Sequence, residues 1–223
     1  MTNGVGARTD RGFPFQTAAV IVAHPDDEIL WAGGTILTNS YTEWRIFTLC
    51  RASDPDRSVR FRRVMEHLDA VGAMADLDDG PEQRPLPLDL VKQTVSGLAG
   101  TTPYDVVLTH GPHGEYTRHR RHEETSQAVG ALWTEGTIRA GEVWMFAYDD
   151  EGRTRLPEAV AVADVKTALT PKVWQKKYEI MTSLYGFNPD SWEAHSTPRT
   201  EGFWRFTSPQ AYTDWIWKEN MEK

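Results

Sequence analysis

The stretch Ala18-Ala-Val-Ile-Val-Ala-His-Pro-Asp-Asp-Glu-Ile-Leu-Trp31 decides how this chain is read. Its first six residues, 18–23, are small or β-branched and apolar, and polar sequence brackets them. A short continuous apolar run of that kind fits a strand buried on both faces. The run ends in His24, and Pro25-Asp26-Asp27-Glu28 then starts a helix that continues through Ile29, Leu30, Ala32 and Ile36. Proline suits the first helical turn, and acids there favour the positive end of the helix dipole. One imidazole and three carboxylates therefore crowd a strand-to-helix junction. In open α/β sheets, ligands bind beyond the carboxyl ends of the strands. A well-formed helix start accounts for Pro25 and one or two acids. It does not account for His24, which is a poor N-cap.

Outward from this stretch, strand and helix alternate. Residues 44–50 read as a second strand, followed by a polar loop at 51–57 that includes Arg51. A helix over 58–71 carries the apolar stripe Phe61, Val64, Met65 and Leu68, with Gly72 as its stop. Residues 76–88, with three prolines and a glycine, predict a short strand or turn and an irregular loop. A helix over 89–98, a buried strand over 104–109, a Gly- and His-rich loop and a helix from His119 follow. The next elements are a strand at 143–148, a polar loop at 149–155 and a long helix at 164–184, with Pro171 as its early kink or start. The pattern predicts an α/β fold: a Rossmann-like, mostly parallel sheet with helices on both faces. Beyond it lies an aromatic-rich C-terminal extension, 185–223, that the pattern leaves unassigned. Residues 1–16 read as a flexible tail and 17–223 as a single domain.

Composition narrows the function classes. The 223 residues carry a net charge of −8, which disfavours a general nucleic-acid binder. The single Cys50 excludes an internal disulfide and a cysteine-built zinc site. No run of apolar residues is long enough to span a membrane, and 1–16 lacks a signal-peptide core, so a cytoplasmic protein is the default expectation. A homo-oligomer is compatible with the sequence.

Five of the seven histidines fall at two strand ends. The first strand end supplies His24 with Asp26 and Asp27; the other supplies His110, His113, His119 and His122. Two histidines and one carboxylate with an open fourth position is the layout of a hydrolytic zinc site. The first turn also lacks Gly-x-Gly-x-x-Gly and offers acids where a pyrophosphate would sit, which argues against dinucleotide binding.

His24-Pro25-Asp26-Asp27-Glu28 after an apolar strand, with a later Thr109-His110-Gly111, Gly114-Glu115-Tyr116 and His119-x-x-His122, resembles the PIG-L/LmbE family of zinc-dependent de-N-acetylases. The resemblance covers residues 18–128. It implies zinc held by His24, Asp27 and His122, with Fe²⁺ as another acceptable metal. It implies Asp26 as the general base, and His119 as oxyanion stabiliser or acid towards the leaving amine. Arg63, in an Arg-x-x-Glu pattern with Glu66, is expected to face substrate together with Glu28, Arg51 and Tyr116. The implied substrate is a small N-acylated amino sugar or glycoconjugate. An amidase acting on a thiol conjugate, or a non-catalytic relative, is the alternative. The chain departs from the family at Tyr116-Thr-Arg-His-Arg-Arg-His122, which has one extra residue and three arginines, so a basic pocket rim is expected. Trp174, Trp192, Trp204, Trp215 and Trp217 are expected mostly to pack in the core or an oligomer interface, with stacking on sugar rings as the alternative.

Overall fold

Strand β1 (Thr17–Val22) carries the apolar run, and Ala18 to Val22 are wholly removed from solvent. The run serves two cores at once. Ala18, Val20 and Val22 pack on one side of the sheet, and Ala19 and Ile21 on the other. That is why the sequence shows no apolar–polar alternation here.

The computed structural model describes residues 14–116 and 118–221. After β1 come α1 (Asp27–Thr38), β2 (Glu43–Thr48), α2 (Pro55–Leu68), β3 (Val71–Met74), α3 (Leu88–Ala99), β4 (Tyr104–Thr109), α4 (Arg120–Thr134) and β5 (Ala140–Phe146). A short pair, β6 (Tyr148–Asp149) and β7 (Glu158–Ala159), precedes β8 (Val165–Ala168). Helix α5 (Pro171–Glu179) runs into a π-helical turn (Ile180–Leu184); α6 (Trp192–Ser196), β9 (Thr200–Phe206) and α7 (Pro209–Met221) follow. The seven-stranded sheet has the order β3-β2-β1-β4-β5-β9-β8. β3 to β5 run parallel, and β9 lies antiparallel between β5 and β8. The expected mostly parallel sheet with helices around it is present. From β1 the chain goes first to β2 and β3 on one side and then to β4 on the other. The crevice between the ends of β1 and β4 is thus the switch point where such sheets bind ligands. No described helix is long and apolar enough to cross a membrane.

Several elements differ from the sequence reading. Pro25 lies in a turn ahead of α1, and the helix begins at Asp27 after Asp26 takes a φ of 133°. Helix α2 starts earlier than expected because Asp54 caps it, accepting the Asp56 and Arg57 amides at 3.0 Å, with Pro55 in its first turn. It stops at Asp69, which is left-handed. Gly72 is instead a residue of β3, packed so closely on Met65 and Phe61 that a Cβ has no room. The long helix over 164–184 does not form as one piece. Thr170 caps α5 and Pro171 occupies its first turn, so the helix cannot extend backwards. Residues 165–168 pair with β9 instead. Most of the expected N-terminal tail lies outside the described residues; Phe15, within it, packs edge-on against Trp144.

The unassigned C-terminal part thus completes the sheet, and it also anchors α1. Glu201 on β9 is fully buried and accepts the Gly34 and Thr35 amides at 2.6 and 2.7 Å. It also accepts the Thr35 hydroxyl at 2.7 Å and the buried Lys177 ammonium at 2.6 Å. Removing one partner of such a pair strands a charge in the core. Glu201→Ala should therefore cost about 3–5 kcal/mol of unfolding free energy by denaturant titration. A loss below about 1 kcal/mol, the worth of a surface pair, would contradict the assignment of this pair as the anchor of α1.

Candidate metal centre

His24 leaves the end of β1, and Asp27 opens α1 three residues later. The Asp27 Oδ1 atom accepts Trp31 Nε1 at 3.3 Å, which turns Oδ2 towards the β1–β4 crevice. His24 Nδ1 lies 3.1 Å from Oδ2. His122, in the first turn of α4, brings Nε2 to 3.4 Å from the same oxygen. The two nitrogens stand 3.3 Å apart. Donors about 2.0–2.1 Å from a tetrahedral ion are separated by roughly 3.3 Å, so this triangle has the edge length such an ion needs.

Outer partners fix which ring nitrogens carry protons. His122 Nδ1 faces the buried Glu115 carboxylate at 2.6 Å, which leaves Nε2 with a lone pair. His24 Nε2 lies 3.2 Å from Asp79 Oδ1, and although burial opposes it, Asp27 and Asp79 together raise the ring above its ordinary value. His110 is fully buried; its Nε2 accepts the Ala23 amide at 2.9 Å and its Nδ1 faces Glu115 at 2.9 Å. The neighbouring carboxylates favour a proton on His110, but an imidazolium would set two donors face to face at Ala23. The amide geometry decides for the neutral Nδ1–H form. Its lone pair is thereby used, and His110 splints the ends of β1 and β4. Two donor sets, His24/His119/His122 and Asp27/His110/His122, each lie within 4.8 Å. The His24/Asp27/His122 triangle is tighter than that spread.

Burial works against ionisation of Asp27, but the His122 and His110 imidazoles outweigh it and hold its carboxyl well below the usual range. Asp26 behaves oppositely. Burial and then the Asp27 charge push it up to about 7, against the Arg57 guanidinium at 2.7 Å. Burial, then His122 and His24, drive His119 down to about 3, so its ring is neutral. Its Nδ1 atom is buried without a partner. Glu28 is fully buried, and burial pushes its carboxyl up to about 8. It accepts the Asp26 amide at 3.0 Å and the Tyr185 hydroxyl. These bonds hold the strained Asp26 backbone.

The cavity over these groups measures about 180 Å³ and is walled by Leu30, Arg51, Arg57, Asp79, Tyr116 and Trp192 among others. Of the residues expected to face substrate, Arg51 and Tyr116 line it. Glu28 sits behind it, and Arg63 is exposed on α2 outside it, where Arg57 of the same helix takes the inward position. Trp192 and Glu193 of α6 reach the cavity, whereas 149–155 contribute no lining residue. His113 is exposed and outside both donor sets.

The expected basic rim is absent from the adjoining cavity of about 580 Å³, which is lined by Asp54, Asp76, Asp78, Asp79 and Arg51. Arg121 is buried and spent on the Asp78 and Arg84 carbonyls and Glu124, so it clamps the 76–88 loop. Arg118 is paired with Glu123 at 2.9 Å. Trp204 and Trp215 are partly buried and pack on each other at 5.7 Å between centroids, whereas Trp192 and Trp217 are exposed rather than in the core.

The family model described as PIG-L, GlcNAc-PI de-N-acetylase, matches residues 19–133, slightly more than half of the chain. The chain belongs to the PIG-L family. Solved structures share its fold at low identity. An N,N'-diacetylchitobiose deacetylase from Pyrococcus horikoshii is 15% identical with a TM-score of 0.65, covering 89% of this chain and 86% of that one. The 4-carboxy-2-hydroxymuconate hydratase GalB from Pseudomonas putida is 17% identical with a TM-score of 0.59, covering 85% and 95%. The zinc-inhibited teicoplanin deacetylase Orf2 is 14% identical with a TM-score of 0.58, covering 76% and 84%. Among curated proteins none matches the sequence. A deacetylase and a hydratase on one fold show that the reaction must be argued from the site.

Sequence reasoning did not single out Glu115, Asp79 or Arg57. Glu115 had a signal, since it lies between the two histidines it touches, His110 and His122. Glu115→Gln should lower the affinity for a divalent metal by about 10–100-fold, measured by competition with a chelator. Unchanged affinity would remove Glu115 from the role of orienting His122.

Proposed function

We propose that this PIG-L family protein is a metal-dependent hydrolase that removes an N-acetyl group from an amino-sugar substrate of the GlcNAc type, with zinc as its metal. One observation carries the proposal: three atoms able to ligate a metal, His24 Nδ1, Asp27 Oδ2 and His122 Nε2, converge within 3.1–3.4 Å of one another in a buried crevice. Burial opposes charge on the two rings, yet Asp27 raises both His24 and His122 above the ordinary imidazole value, and a divalent cation would replace those protons among the same three atoms. A zinc ion held by these three side chains would supply a bound water of pKa about 7 and would polarise the amide carbonyl.

The remaining chemistry belongs to side chains. Asp26, held by Arg57 and raised to about 7, takes the proton of the attacking water and passes it to the leaving amine nitrogen. His119, kept neutral by burial, donates its ring N–H to the carbonyl oxygen as negative charge develops there. A neutral imidazole suits that role better than the role of acid. Tyr116 and Trp192 wall one side of the cavity, with ring centroids 4.7 Å apart. Arg51, Arg57 and Asp79 line the cavity as well. A polar lining beside an aromatic wall suits the hydroxyls and the apolar face of a sugar ring.

The test combines metal content with acetate release from N-acetylglucosamine derivatives. Asp27→Ala and His122→Ala should lose metal and activity together. Asp26→Asn should keep the metal while its turnover falls about 10²–10⁴-fold. A His₂-Asp set also accepts Fe²⁺, so the assays are run with each metal. Wild-type turnover in Asp26→Asn, or a metal-loaded wild type that releases no acetate, would overturn the proposal.

A further inference from the structure

A second cavity, of about 760 Å³, lies on the other side of α6 from the metal crevice. Trp192 and Glu193 wall the metal cavity, whereas Ala194 to Thr200 wall this one, together with Lys166, Trp174 and Tyr178. Its volume falls within the range of small-molecule sites. Its charge is opposite in sign to that of the metal cavity's mouth and of the chain as a whole, whose net charge is −8.

The Arg199 guanidinium is held 3.5 Å above the Trp174 ring. Trp174 is itself fixed, stacking on Tyr178 with centroids 5.2 Å apart and donating Nε1 to the Thr197 carbonyl at 3.1 Å. Arginine stacked on an aromatic face keeps its N–H edge free and pre-oriented for a planar or tetrahedral oxyanion. Neither Arg199 nor Lys166 has a carboxylate partner among the described residues. The one acid lining the cavity, Glu158, is taken by Arg155 at 2.5 Å. Ser196, 2% exposed, lines the same cavity, and its hydroxyl has no hydrogen-bond partner. A buried hydroxyl of this kind is a polar group still in need of a partner.

We infer that this cavity is a second binding site, for a small molecule carrying a phosphate or carboxylate group, with Arg199 and Lys166 as its anion-binding pair. Nothing in this inference depends on the metal reading, because no residue is shared with the metal triangle.

The test is calorimetric titration of the full chain with glucose 6-phosphate and with glucose. Wild type should bind the phosphorylated sugar at least tenfold more tightly than glucose. Lys166→Ala/Arg199→Ala, substitutions of exposed side chains, should weaken that binding at least tenfold with an unchanged melting temperature. His122→Ala should bind as wild type does. Wild type with no preference over glucose, or a double variant that binds as well as wild type, overturns the inference. Binding lost in His122→Ala but kept in the double variant places the probe at the metal crevice and overturns it too. Repeating the titration in saturating glucosamine separates the two sources of the anion. Unchanged affinity marks an independent ligand, and lost affinity marks the far end of one molecule reaching both cavities; either result keeps the oxyanion site.

Discussion

The rest of the site depends on the concentration of lone pairs around Asp27 Oδ2. Three imidazole nitrogens, from His24, His110 and His122, approach that oxygen within 3.1–3.4 Å. In a buried crevice such an arrangement is costly unless each lone pair finds a positive partner. The Ala23 amide supplies that partner for His110. Asp79 faces His24 Nε2 and Glu115 faces His122 Nδ1, which leaves His24 Nδ1 and His122 Nε2 as the ring atoms beside the Asp27 carboxylate. A divalent cation among these atoms would replace the protons that Asp27 otherwise draws onto the two rings against the cost of burial. The raised Asp26 carboxyl and the neutral His119 follow from the same crowding, because each is shifted by charge or burial at this one point.

The fold exists to hold that crevice in register. Both donor-bearing strand ends lie at the point where the sheet order reverses, and His110 bridges them. The start of α1 must not drift, because Asp27 is its first residue. Glu201 and Lys177, contributed by β9 and α5, grip the middle of the helix. Sequence far downstream of the metal ligands therefore determines their placement. This is the physical reason that the C-terminal region cannot be treated as a removable extension.

How much was legible in the sequence follows from how local each signal is. The buried strand before His24, the acids after it and the His119-x-x-His122 spacing are local patterns, and they led to the residues that meet in space. The strand at 165–168 was not legible, because its partner, β9, lies in a segment whose pattern gave no assignment. Arg57 and Arg63 lie on one helix, and only the start set by the Asp54 cap shows which of them turns inward. Asp79 sits in an irregular, proline-rich loop, where neither periodicity nor spacing marks a residue. The positive φ of Asp26 is invisible in composition and accompanies the hydrogen bond that its amide donates to Glu28. The expected basic rim failed because Arg121 found buried partners within the chain.

The most direct test is X-ray absorption at the zinc edge of protein loaded with stoichiometric zinc. Two imidazole nitrogens and a carboxylate oxygen, all at about 2.0–2.2 Å and in four-coordinate geometry, are the expected result. A shell of six oxygens, or zinc that washes out on desalting, would contradict the claim that these three side chains form a metal centre.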